Sequence, residues 1–144
     1  GFGGLVETYR CPAPPLAAGP QAAVAGATAL TDVSDGLLRD ARALARASGV
    51  TIALDGALLA PDDELVACAA ALGADADRWV RTGGEDHALL ATFPAGAALP
   101  AGWRAIGTAA APAGAPAGTV TVDGDAGPAA GGWNTFTETE ENGR

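Results

Sequence analysis

The chain has 144 residues, of which 49% are apolar and 5% aromatic, and its formal net charge is −9. That length supports one domain with a sizeable core, built from Leu, Val, Ile and close Ala packing rather than from aromatic rings. All eight basic residues are arginine. With no lysine, a Walker A phosphate loop, a lysine Schiff base and a protein-kinase ATP lysine are excluded, and the acidic balance argues against a general nucleic-acid binder.

In chain order, residues 1–20 read as irregular. Gly3-Gly4 interrupts the start, and Cys11-Pro12-Ala13-Pro14-Pro15 is incompatible with a regular helix. A short helix is expected behind Pro20, stopped by Gly26. Residues 27–33 (ATALTDV) read as a buried strand. Ser34 or Asp35 is expected to cap a helix over 36–48. Leu37, Leu38, Ala41, Leu44 and Ala45 share one face of it at helical spacing. Arg39, Asp40, Arg42 and Arg46 are expected to face mostly outward, and Gly49 to end the helix.

Residues 50–54 (VTIAL) form the next predicted strand. The strand–helix–strand unit predicts a right-handed crossover if the two strands are parallel neighbours. Pro61-Asp62-Asp63-Glu64 opens a helix to Leu72, closed by Gly73. Asp75 or Asp77 is expected to cap a shorter helix carrying Trp79. Strands are predicted at 87–93, 103–107 and 119–122. The run 109–118 (AAAPAGAPAG) reads as a low-complexity loop and 137–144 (TETEENGR) as a disordered, solvated tail.

Cys11 and Cys68 make neither a disulfide framework nor a metal pair. No apolar run is long enough to span a membrane and no signal peptide is visible, so the expectation is a cytoplasmic protein with free thiols. The first residue is not methionine, and the expectation is a fragment of a longer chain.

Two motifs carry chemistry. In the first, Thr31-Asp32-Val33-Ser34-Asp35-Gly36, a strand ends, two carboxylates and a hydroxyl follow, and a glycine opens a helix. Ligands of α/β proteins bind outside the carboxyl ends of strands. A helix N-terminus favours phosphate oxygens. Asp32 and Asp35 can hold a hard cation that bridges to those oxygens, and Ser34 can donate to a phosphate. The plainer reading makes Ser34 an N-cap and Asp35 a first-turn acid, with Arg39 one turn away to balance the repulsion between the acids.

The second motif is Arg81-Thr82-Gly83-Gly84-Glu85-Asp86-His87-Ala88-Leu89-Leu90. Its plainer reading is a glycine turn entering a strand. Diguanylate cyclases carry a similar Gly-Gly and two acids, but their pattern also needs a Phe-Lys that this chain lacks. His87 is either a general base or, as favoured here, a structural residue at a strand start.

Taken together, DVSDGL, the amphipathic helix, Leu54-Asp55, TGGEDHALL and the late Gly131-Gly132-Trp133-Asn134-Thr135-Phe136 resemble the C-terminal domain of the thiamine-monophosphate kinase family. That family sits in the superfamily of aminoimidazole-ribonucleotide synthetases and selenophosphate synthetases. The resemblance covers residues 1–136. It implies an α/β fold of the α+β sandwich kind, a mixed β-sheet with helices packed on it. It implies Mg2+-assisted, in-line transfer of the ATP γ-phosphoryl group onto thiamine monophosphate, giving thiamine diphosphate.

The residues carry over individually. Asp32 and Asp35 match the family's magnesium ligands, with Asp35 also placed in the catalytic role. Ser34 matches an ATP contact. Glu85 matches a substrate contact and Trp133 a late aromatic at the substrate, with Phe136 as the alternative. A ring there suits the cationic thiamine moiety. After Gly-Gly-Glu-Asp many members have Tyr-Glu-Leu, where this chain has His87-Ala88-Leu89. The resemblance further implies an N-terminal ATP-binding domain, absent from this sequence, as partner. It implies a homodimer in the full enzyme, no nucleic-acid or membrane partner, and no activity of this chain alone. A different class of function, a non-catalytic binding or assembly module, stays open beside it, as does another member of the same ATP-using superfamily.

Overall fold

A computed structural model describes residues 2–84 and 87–126. The chain opens with helix α1 (Gly3–Arg10), where an irregular segment was expected. The two glycines fall in its first turn, where amides need no intrahelical carbonyl, and Leu5–Arg10 propagate it. It stops at Cys11, ahead of Pro12, because the residue before proline is pushed out of the helical region. Helix α2 (Ala18–Val24) follows, with Pro20 tolerated in its first turn.

Strand β1 (Ala29–Val33) leads to α3 (Leu37–Ser48). The five residues expected on the inner face of α3, Leu37, Leu38, Ala41, Leu44 and Ala45, are all buried. The helix ends at Gly49, whose φ of 66° is left-handed. Strand β2 (Thr51–Leu54) is followed by a 3-10 turn (Gly56–Leu59) and α4 (Asp63–Leu72). The Asp62 carboxylate accepts the Leu65 amide at 2.7 Å and caps α4. Helix α5 (Ala76–Thr82) is capped by Asp75, as one of the two expected candidates. Three strands close the described chain: β3 (Ala88–Thr92), β4 (Gly107–Ala110) and β5 (Val120–Val122).

The strands make two sheets. Among the described residues, β1 pairs antiparallel with β3 alone. In the other sheet β2 is central, antiparallel to β4 and parallel to β5. The expected crossover between β1 and β2 is therefore corrected: the two are not neighbours and α3 links different sheets. Ile52 and Leu54 of β2 stand beside Val120 and Val122 of β5 in register, and these four form a core with Leu37, Leu38, Ala41 and Ala45 of α3. Each such side chain contributes about 1.5–3 kcal/mol by leaving water.

The strand expected at 103–107 is also corrected. Trp103 closes a turn, its amide donating to the Pro100 carbonyl at 3.1 Å, and its ring meets Phe93 edge-on at 5.8 Å. The strand lies instead at β4, partly in the alanine-rich run that read as loop. All four β4 residues are exposed, so backbone pairing rather than burial defines it. Among the described residues no helix is long and apolar enough to cross a membrane. The tail at 137–144 lies outside the described residues.

Candidate functional site

The register of the two-stranded sheet positions the site. Val33 pairs with Ala88 and Asp32 with Leu89, so the carboxyl end of β1 lies beside the start of β3. The Asp-Ser-Asp loop leaves β1 at the end of the sheet where the Gly-Gly turn delivers the chain to β3. The contact between them is close. A Cβ on Gly36 would stand 2.9 Å from the Thr82 carbonyl oxygen and 3.2 Å from that of Gly83. Gly36 also holds φ 114° and ψ 138°, a backbone state open to glycine. Glycine is therefore required at 36 twice over, by conformation and by space.

The Gly-Gly turn is built the same way. The Gly83 amide donates to the Trp79 carbonyl at 2.7 Å, ending α5. A Cβ at Gly83 would meet that same carbonyl oxygen at 2.5 Å. His87 precedes β3 with a φ of 52°, left-handed for a residue with a side chain. It is half-buried and stands outside the strand that was expected to begin with it.

Asp32 is exposed, between half-buried Thr31 and buried Val33, and accepts from the Thr31 hydroxyl at 3.4 Å. Asp35 is half-buried and pairs with Arg39 one turn on, at 3.5 Å. A pair this exposed contributes about 0.5 kcal/mol or less. Ser34 is half-buried. The capping expectation for Ser34 or Asp35 is corrected: the N-cap of α3 is Gly36, which makes no side-chain cap bond. The chain turns through Ser34 and Asp35 before the helix begins, which removes both from the capping position.

The residue that sequence reasoning missed is Asp40. Expected to face mostly outward, it is half-buried and turned back on the loop. Its Oδ2 accepts the amides of both Ser34 and Asp35, each at 3.0 Å. The signal for it was an acid in the first turn of a helix, where the macrodipole already favours negative charge. Glu85, Asp86, Trp133 and Phe136 lie outside the described residues.

Among the described residues no group of three or more His, Cys, Asp or Glu side chains is placed to hold a metal ion. A cavity of about 1000 Å³ lies elsewhere, among apolar residues of β3, β4 and the segment 94–106. It is lined by none of Asp32, Ser34 and Asp35. A paired-carboxylate loop ahead of a helix, packed on a Gly-Gly turn, suits an anionic ligand that arrives with its own cation.

Comparison with known proteins is decisive on family. The chain is 48% identical over 144 residues to thiamine-monophosphate kinase of Mycobacterium tuberculosis, covering 99% of this chain and 41% of that protein. It belongs to the thiamine-monophosphate kinase family. The family's Corynebacterium glutamicum member is 46% identical over 103 residues, 72% of this chain and 30% of its own length. The chain thus spans about two fifths of the length of the Mycobacterium tuberculosis relative.

Solved structures agree. AaThiL complexed with AMPPCP and TMP superposes on 92% of this chain and 41% of its own, with a TM-score of 0.75 and 28% identity. Thiamine monophosphate kinase from Aquifex aeolicus superposes on 85% of this chain and 40% of its own, with a TM-score of 0.69 and 29% identity. The mixed α/β fold is that of the family, within the aminoimidazole-ribonucleotide synthetase superfamily. No family model matches the chain.

Proposed function

We propose that this chain is the C-terminal part of a cytoplasmic thiamine-monophosphate kinase, a transferase that moves the ATP γ-phosphoryl group onto thiamine monophosphate and yields thiamine diphosphate. In this reading residues 1–136 form the C-terminal domain. A separate N-terminal domain supplies most ATP contacts, and the full enzyme is a homodimer. The observation that carries the reading is the packing of Gly36 against Thr82 and Gly83, which joins the family's two motifs in a chain 48% identical to a named kinase. A relative complexed with an ATP analogue and TMP supports ATP and thiamine monophosphate as the two substrates.

Magnesium fits the donor set. Mg2+ is bound through one or two carboxylates, with water and substrate phosphates completing the shell. Asp32, at the end of β1, and Asp35, in the loop that follows, provide two hard oxygen donors, and no third described ligand is demanded. When bound, the ion supplies charge neutralisation at the phosphate oxygens. Ser34 donates its hydroxyl to an ATP phosphate oxygen. Glu85 and Trp133 take the substrate, the carboxylate answering its charge and the ring stacking on its cationic moiety. The chain forms no covalent intermediate and works by positioning.

The test is Asp35→Asn in the full-length protein. Turnover is expected to fall at least about tenfold, as loss of a metal-ligating carboxylate at a transferring phosphoryl group should. Wild-type turnover at saturating magnesium would remove Asp35 from the ligand set. Calorimetry of the full-length protein with magnesium, ATP and thiamine monophosphate separates the kinase reading from that of an assembly module, which would bind none of them tightly.

A further inference from the structure

We propose that Asp40 is a positioning residue for the Asp32–Asp35 loop. It fixes the backbone that presents the Asp35 carboxylate beside Asp32 at the end of β1, and it occupies the Ser34 and Asp35 amides. The inference rests on the reading of that loop as the magnesium and phosphate site.

Asp40 lies in the first turn of α3. A first-turn acid that served only the helix dipole would need no particular direction. This one reaches out of its helix to residues five and six positions earlier. A single oxygen takes both amides at equal distance, 3.0 Å each. Two successive N–H groups aimed at one point make the concavity that elsewhere binds a phosphate oxygen. Here a carboxylate of the chain itself fills it, through charge-assisted bonds that are stronger than neutral ones.

The consequence concerns what the loop can offer a ligand. With the Ser34 and Asp35 amides engaged, the side chains offered here are the Asp32 and Asp35 carboxylates and the Ser34 hydroxyl. Such a loop meets phosphate through a cation. The loop is also held from two directions: Asp40 from α3, and the Thr82–Gly83 carbonyls against Gly36. Asp32 is held by the β1–β3 ladder, where it pairs with Leu89. A flexible loop would leave Asp35 free to drift from it, and the clamp on the Ser34 and Asp35 amides holds Asp35 in place. Partners of this indirect kind usually change metal affinity rather than the chemistry itself.

The test compares Asp40→Ala, Asp40→Asn and, as a remote destabilising control, Asp62→Ala in the full-length protein. Asp40→Ala is expected to raise the KM for Mg2+ about tenfold, with kcat at saturating Mg2+ close to wild type. Asp40→Asn keeps an oxygen that can accept both amides, and its KM for Mg2+ is expected to stay within about threefold. Asp62→Ala is expected to lower stability and leave the KM for Mg2+ unchanged. Hydrogen exchange provides the second readout: the Ser34 and Asp35 amides are protected in wild type and exchange faster in Asp40→Ala.

Wild-type Mg2+ dependence in Asp40→Ala overturns the positioning role, even if exchange quickens. Unchanged exchange overturns the clamp itself. A wild-type protein without thiamine-monophosphate kinase activity sinks the functional reading instead, and exchange then still tests the clamp. If Asp40→Ala does not fold, Asp40→Ser, too short to span the same distance, takes its place under the same criteria.

Discussion

Gly36→Ala tests the contact on which the site depends. Two costs combine there. A residue with a side chain held at φ 114°, ψ 138° costs about 1–3 kcal/mol in backbone strain. The added methyl would sit 2.9 Å from the Thr82 carbonyl oxygen, where ordinary contact begins near 3.4 Å. The opposing atom is backbone of α5 and cannot swing away, so overpacking adds about 1–3 kcal/mol. Alanine recovers about 0.4–1 kcal/mol by restricting the unfolded chain. The net loss is about 1–6 kcal/mol, a large part of the roughly 5–15 kcal/mol that holds a domain together.

Gly49→Ala is the matched control. Gly49 is also left-handed, at φ 66°, but has nothing within 4 Å of its Cβ position. Its loss should be about 1 kcal/mol, conformational cost alone. Urea unfolding followed by circular dichroism would give both values, and the excess at Gly36 carries the contact with Thr82 together with the greater backbone strain there. Equal losses for the two variants would mean that the Asp-Ser-Asp loop does not pack on the Gly-Gly turn. The spatial basis of the proposed site would then be gone.

Two further substitutions probe the scaffold by the same unfolding measurement. Asp62→Ala removes the 2.7 Å bond to the Leu65 amide and should cost about 1 kcal/mol; a loss below about 0.3 kcal/mol would show that α4 is not capped there. Leu38→Ala opens a cavity under the most buried large side chain of α3, 2% exposed, and should cost about 2–5 kcal/mol. A surface-like loss of under about 0.5 kcal/mol would contradict its place in the core.

Much of the local architecture was legible because it is dictated locally. The inner face of α3 follows from the 3.6-residue repeat of Leu37, Leu38, Ala41, Leu44 and Ala45, and its stop from Gly49. The acids ahead of α4 marked its start, and Asp75 was one of two candidates for the cap of α5. What misled was weak local signal. Gly3-Gly4 read as a break, yet in a first helical turn it breaks no bond. The alanines at 109 and 110 show no alternation, yet they pair with β2 through backbone alone. For the site, the residue types were plain in DVSDG and TGGED. Asp40 was hidden because its part in the loop depends on direction, and spacing on a helical wheel placed it outward.

Chain order and residue type were enough to single out the two motifs: carboxylates and a hydroxyl at a strand end, and glycines where backbone must pass close. They were enough also for the family, whose motifs are contiguous words. Partnership between distant segments was a different matter. β1 and β2 are both short apolar runs, and nothing local assigns one to β3 and the other to β4 and β5. That choice is made by long-range register and by which faces α3 can cover at once. The same tertiary choice sets Gly36 against Thr82 and turns Asp40 toward the loop, because a carboxylate finds its amides only after the elements carrying them have packed.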